Sequence, residues 1–200
     1  MIKLYDSKLS GNAWKIRLML NFLQIPYTRE TLNLAEGKHK EEAFKKRNPF
    51  ARIPVVELAD GRHLNESNAI LLYFAEGSSL LPADPVMRCK INAWLFFEQA
   101  DLLRFLAYPR FYTMTNQREK FADIIAHYME LGKVALTHVN QALENSSWIA
   151  GESLSVADFS LYPYISMAEE GGYNLAEWPA IQRWIGNFKD IPGYENLVNA

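Results

Sequence analysis

Residues 48–70 read NPFARIPVVELADGRHLNESNAI, and the order of elements within this stretch decides the fold. Asn48-Pro49 closes whatever helix precedes it, because a residue before proline is pushed out of the helical region. After Pro54, Val55 to Leu58 and Arg62 to Leu64 flank Asp60-Gly61, a dipeptide suited to a tight hairpin because glycine accepts positive φ. This pair of strands is therefore expected to be antiparallel. Glu66 to Glu76 then carries Ile70, Tyr73 and Phe74 on one helical stripe.

Upstream, Ile2 to Tyr5 reads as a strand. Ile16, Met19, Leu20 and Leu23 then recur at helical spacing until Ile25-Pro26 breaks the pattern. Tyr27 to Leu32 reads as a second strand and Lys40 to Lys46 as a short charged helix. A parallel strand-helix-strand unit that runs into an antiparallel hairpin and a helix gives the order βαβαββα over residues 1–77. Gly77-Ser-Ser, with Pro82 and Pro85, reads as a linker. Beyond it the periodicity is helical only: one helix from Val86 to Tyr108, and another from Gln117 to Glu144 with Phe121, Ile124, Tyr128, Leu131, Ala135 and Ala142 along its stripe. Shorter helices follow at Ser155 and Trp178. The expected class is α/β plus all-α, with a first domain over 1–77 and an all-helical domain over 84–200.

Composition narrows the function. Hydrophobic residues make up 49% of the 200 residues and charged ones 22%, the balance of a globular protein. A net charge of −2 gives no general attraction for phosphate backbones, and Glu41 and Glu42 interrupt the basic stretch Lys38 to Arg47, so nucleic acid is not an expected partner. No apolar run reaches the roughly 18 residues of a membrane helix, and the first residues enter a strand pattern without the look of a signal peptide. A cytoplasmic protein without a membrane partner is expected. Cys89 is the single cysteine, which excludes an internal disulfide and a paired-thiolate zinc site; on a long helix it reads as a buried apolar residue. His39, His63, His127 and His138 are too scattered for a local ligand motif, so no metal is expected.

Three segments carry chemistry. Ser10-Gly-Asn-Ala-Trp-Lys lies where the first strand meets the first helix, so a ligand there faces the positive helix end and its free N–H groups, a location that suits an anion. The alternative is an ordinary N-cap by Ser10 or Asn12. Glu66-Ser67 opens another helix, where a carboxylate for an ammonium and a hydroxyl for a carboxylate fit an amino-acid head group; capping by Asn65 or Ser67 is the competing reading. Ser155-Val-Ala-Asp158 has the form of a capping box and reads as structural, with Pro163 near the end of its helix or kinking it.

Ser10-Gly-Asn-x-Trp-Lys-Ile-Arg, Asn48-Pro49-x-x-Arg-Ile-Pro-Val, Glu66-Ser67-x-Ala-Ile and Ser155-Val-Ala-Asp158 together resemble the successive landmarks of the glutathione S-transferases, over essentially the whole chain. The resemblance implies a thioredoxin-like first domain in which Ser10 to Ala13 replace the Cys-x-x-Cys pair, and a cis bond between Ile53 and Pro54. It implies that Ser10, with Asn12 beside it, activates the thiol of glutathione, and that Tyr5, His39, Arg52, Ile53, Pro54, Glu66 and Ser67 hold the tripeptide. Ile53 would bond the cysteinyl backbone, Glu66 and Ser67 the γ-glutamyl end, and His39 and Arg52 the glycine carboxylate. Trp14, Phe50, Tyr108, Phe111 and Tyr112 would line an apolar co-substrate site, with Arg104 or Arg110 adding a cation.

The implied activity is conjugation of the glutathione thiolate to small hydrophobic electrophiles, a detoxifying transferase without a cofactor beyond its co-substrate, in a cytoplasmic homodimer. Glutathione-dependent reduction of disulfides or peroxides is the alternative, and a non-enzymatic binding or interaction role is another. Beta- and omega-like members have cysteine at the Ser10 position, so their mixed-disulfide chemistry is not expected. Gly11 and Asn12 depart from the Ser-Ser-Cys run of the zeta class. A nu-like disulfide-bond reductase pairs a threonine with an asparagine two residues on, a pattern that Ser10 and Asn12 resemble.

Overall fold

The computed structural model describes residues 1–198. The chain divides into two units: Met1–Glu76 together with the stretch from Ile191, and Gly77–Asp190. The expected second domain ran to residue 200, whereas in the structure the stretch from Ile191 belongs with the first unit, because its hydrogen-bond partners lie there.

In the first unit, strands β1 (Ile2–Asp6), β2 (Tyr27–Thr31), β3 (Val55–Glu57) and β4 (His63–Asn65) form one sheet in the order β2-β1-β3-β4. β1 and β2 are parallel, whereas β3 is antiparallel to both β1 and β4. The helices are α1 (Gly11–Phe22), α2 (Glu42–Lys45) and α3 (Ser67–Ala75), which reproduces the expected βαβαββα order. α1 is buried along nearly its whole length, from Gly11 to Leu20, including Lys15 and Arg17. α3 buries Ile70, Leu71 and Ala75, so the expected stripe was rotated: Tyr73 is exposed. On the opposite side of the sheet from Leu4 and Asp6, Tyr5 packs with Phe44 and Val55, as the strand alternation requires.

The second unit is helical. α4 (Pro85–Phe97) starts with Asp84 as cap, whose carboxylate accepts the Met87 N–H at 2.8 Å. The expected single helix to Tyr108 is interrupted by a π turn over Glu98–Leu102, and α5 (Leu103–Met114) follows, running through Pro109. α6 (Ala122–Leu143) buries Ile125, Ala135, Leu136, Val139 and Leu143, while Ile124 is exposed; its buried face is turned from the expected stripe. α7 (Val156–Ser166) and α8 (Pro179–Lys189) complete the unit.

Ser155 and Asp158 form the expected capping box at the start of α7. The fully buried Asp158 carboxylate accepts from the Ser155 N–H (2.9 Å) and hydroxyl (3.0 Å), the Ile149 N–H (2.9 Å) and the Trp184 indole N–H (2.9 Å). Burial pushes its pKa up to about 6 against these four donors. Pro163 lies in the last turn of α7, near the helix end as expected, and gives up the one helical hydrogen bond that its N–H would have made. Cys89 is exposed rather than buried. Among the described residues, no helix is long and apolar enough to cross a membrane.

Candidate functional site

The sheet register gathers the expected residues. Tyr5 pairs with Val55, Val55 with Asn65, and Asp6 with Thr31. The end of β1, the end of β2, the start of β3 and the end of β4 are therefore one end of the sheet. From that end leave the Ser7–Ser10 loop, the Leu32–His39 segment, Ile53-Pro54 and Glu66-Ser67. Residues 57 positions apart in the chain thus share one edge, as ligand sites in open α/β sheets do.

At the first of these exits Ser10 is the N-cap of α1, with extended backbone, and its Oγ accepts the Ala13 N–H at 3.2 Å. That bond uses a lone pair and leaves the hydroxyl proton to donate outward, so capping and anion binding are compatible at one atom. The capping reading of this segment is what the geometry shows, and it leaves the ligand reading compatible with it.

Asn12 and Ser67 meet directly: the Ser67 hydroxyl donates to Asn12 Oδ1 at 3.2 Å. Behind them Lys15, wholly buried, donates to Ser67 Oγ at 3.5 Å. This cation was missed in the sequence; its signal was the run AWKIRLML from Ala13 to Leu20, in which the only polar residues are cations. Glu66 is exposed and held at φ 65°, and no side chain caps the N-terminus of α3 that it opens. A positive φ in a non-glycine residue costs about 1–3 kcal/mol and persists where its surroundings impose it, commonly at ligand sites.

The Ile53-Pro54 bond is cis, as the resemblance implied. Buried Asn48 fixes the loop before it, donating to the Arg52 carbonyl at 2.8 Å and accepting the Phe50 N–H at 3.0 Å. Asn48-Pro49 was read as a helix stop and as a landmark of the resemblance, so this bonding role of the Asn48 side chain was also missed.

Residues 9–76 match the family description "Glutathione S-transferase, N-terminal domain" and residues 106–192 the corresponding C-terminal domain. Disulfide-bond oxidoreductase YfcG of Escherichia coli K12 is 30% identical, over 96% of this chain and 92% of that protein. The chain belongs to the glutathione S-transferase family of enzymes. Glutathione S-transferase D7 of Drosophila melanogaster is 29% identical, over 100% of this chain and 89% of that one. The crystal structure of a glutathione S-transferase from Pseudomonas fluorescens is 36% identical and superposes with a TM-score of 0.97, over 99% of both chains.

Within this family fold, two expected site residues have other work. Tyr5 is buried, and its hydroxyl donates to Glu57 at 2.7 Å while the Arg47 guanidinium lies 5.0 Å from its ring. Burial, reinforced by the bond to Glu57, raises its pKa. Strand alternation points it at Phe44, so it belongs to the core under α2 and not to a tripeptide site. Trp14 is only 4% exposed and its indole N–H donates to the Glu195 carbonyl at 2.9 Å. It anchors the C-terminal stretch.

His39 lies half-buried in a short 3-10 turn, Lys38–Lys40. Its Nδ1 is shielded from water without a hydrogen-bond partner, and burial together with the Lys40 charge lowers its pKa. Arg52 is exposed.

On the helical unit, Tyr108 and Phe111 are exposed and Tyr112 half-buried. Tyr112 stacks on Phe121 with ring centres 4.3 Å apart, and Tyr108 lies 6.0 Å from Tyr112 and 5.9 Å from Tyr128. These rings form one continuous aromatic surface. Arg104 is exposed on the same helix, whereas Arg110 is buried and ion-paired with Glu170 at 2.6 Å, so it offers no cation to a ligand.

Proposed function

We propose that this chain conjugates the thiolate of glutathione to small hydrophobic electrophiles. The observation that carries this reading is Ser10: its lone pair is committed to the α1 cap and its proton remains to donate at a helix N-terminus. A free thiol of pKa about 8.5 is mostly protonated at neutral pH, and lowering it by about two units needs about 2.7 kcal/mol. One hydrogen bond to a charged group supplies about 1.5–3 kcal/mol and the helix end about 0.3–1 kcal/mol, which together suffice.

In this reading the cis Pro54 turn presents the Ile53 backbone to the cysteinyl unit. Glu66 takes the γ-glutamyl ammonium, and Ser67, backed by Lys15, takes its carboxylate once its hydroxyl turns from Asn12 Oδ1 to the ligand. His39 and Arg52 face the glycine end. The thiolate sulfur bonds to the electrophilic carbon and a leaving group such as halide departs with the electron pair, giving a thioether. Tyr108, Phe111 and Tyr112 supply the apolar surface for the co-substrate. Phe50, 63% exposed, is open to that co-substrate or to a second copy. Homodimer formation is supported by further apolar surface on the helical unit: Phe96 is 74% exposed, and a cavity of about 250 Å³ is lined by Phe97, Phe105, Leu131 and Val134.

One observation favours a second reading. The relative YfcG is named a disulfide-bond oxidoreductase, and Asn12 stands two residues after Ser10. Two glutathiones would then reduce one disulfide and leave as glutathione disulfide.

Calorimetric titration with glutathione, followed by product analysis with an aryl halide and with a small disulfide, tests both. Saturable binding and a thioether support the transferase, and glutathione disulfide alone supports the reductase. Absence of binding at millimolar glutathione refutes both and leaves an interaction role.

A further inference from the structure

The thiol site uses the N-terminal turn of α1, but that helix also carries a charged flank which the proposed chemistry leaves unexplained. Arg17 and Asp6 are both wholly buried. Asp6 Oδ2 lies 3.2 Å from Arg17 Nε and 2.5 Å from Arg29 Nε, while Oδ1 accepts the Ser7 N–H at 2.5 Å. The far edge of the Arg17 guanidinium meets the C-terminal stretch: Nη1 donates to Glu195 Oε1 at 2.6 Å and Nη2 to the Leu197 carbonyl at 2.9 Å. One turn earlier Trp14 donates to the Glu195 carbonyl. One turn later a side chain on Gly193 would meet the Asn21 backbone at 2.8 Å. Residues 193–197 therefore lie along α1 over three successive turns, at the 14, 17 and 21 spacing of one helix face.

Two continuous paths run from this contact to the reactive hydroxyl. Arg17 holds Asp6, Asp6 holds the Ser7 amide, and the Ser7 carbonyl accepts the Ser10 N–H at 3.0 Å. Trp14 itself donates its backbone N–H to the Ser10 carbonyl at 3.0 Å. The charges balance: the two carboxylates of Asp6 and Glu195 face the two guanidiniums of Arg17 and Arg29. Removing Glu195 leaves a buried guanidinium short of a partner, which the surrounding backbone must move to satisfy.

We propose that the C-terminal stretch braces the thiol-activating turn, with Trp14, Arg17 and Glu195 as positioning residues for Ser10. The proposal rests on the glutathione reading above. The brace acts on thiolate stabilisation rather than on tripeptide affinity, because a hydrogen bond to a developing charge depends steeply on placement whereas the binding contacts are spread over other loops.

The test uses the full chain with Glu195→Ala and the milder Trp14→Phe, which keeps the aromatic packing and deletes the indole donor. Glutathione affinity is read by calorimetry, and the pKa of the bound thiol by thiolate absorbance against pH. Both variants are expected to raise the bound-thiol pKa by about 0.5–1 unit, a roughly 2- to 5-fold loss of thiolate at pH 6.5, with affinity changed less than about twofold. Glu195→Gln, which keeps an acceptor for Arg17, should recover part of the shift. Variants that bind glutathione normally and leave the thiol pKa at its wild-type value overturn the brace alone. A wild-type protein that binds no glutathione, or binds it without lowering the thiol pKa, removes the transferase reading and the brace with it.

Discussion

Alanine at position 10 removes two bonds made by one oxygen. The Ser10 hydroxyl accepts the Ala13 N–H, and its proton is the one assigned to the glutathione thiolate. Loss of the cap costs about 0.5–2 kcal/mol, which lowers the melting temperature by roughly 2–4 °C per kcal/mol in a chain of this size. Loss of the proton costs the thiolate about 1.5–3 kcal/mol. That raises the bound-thiol pKa by about 1–2 units and cuts turnover at pH 6.5 by about 5- to 50-fold. Glutathione affinity should hardly change, because other loops carry it. Ser10→Asp separates the two roles: a carboxylate still caps the helix, so the melting temperature holds, but it has no proton to give at neutral pH and repels the thiolate. Its turnover should fall at least as far as that of Ser10→Ala. Steady-state conjugation of an aryl halide at pH 6.5, with melts and calorimetry on the same preparations, reads all three quantities. Turnover within twofold of wild type in Ser10→Ala would refute the reasoning and shift the donor to the Asn12 amide, whose oxygen is already engaged by Ser67.

Other consequences follow from the same geometry. At position 66 glycine should be more stable than alanine by about 1 kcal/mol, since φ is 65° there, and both variants should lose glutathione affinity; equal stability by urea unfolding would remove the claim of strain. Burial lifts the Asp158 pKa from 3.8 to about 6, so between those values the native chain keeps a proton that the unfolded chain releases. Stability from this group therefore falls as pH rises through that window, by about 3 kcal/mol. The stability difference between wild type and Asp158→Asn should shrink by that amount from about pH 3 to about pH 7, and a difference independent of pH would contradict it. Gly132→Ala would set a methyl 2.0 Å from the Tyr173 hydroxyl, whose one proton is shared between the Phe105 carbonyl at 2.8 Å and the Tyr128 carbonyl at 3.2 Å. The crowding should cost about 1–3 kcal/mol or more, and an unchanged urea midpoint would show that the helices yield there.

The sequence by itself determined the element order of the first unit, because Pro49, Pro54 and Asp60-Gly61 constrain the backbone locally. It also determined the Ser155 to Asp158 box, whose partners are three residues apart. Periodicity gave the helices of the second unit but missed the π turn at Glu98–Leu102 and rotated two buried stripes, since apolar residues such as Tyr73 and Ile124 recur at helical spacing on exposed faces as well. Tertiary structure alone decided that Tyr5 turns under α2 and that Trp14 is spent on Glu195, 181 residues away. The same holds for buried Lys15, Arg17 and Asp6, which the sequence presents only as charges. A local pattern fixes backbone conformation, whereas the partner of a buried polar group comes from whichever distant segment the fold brings within hydrogen-bond distance.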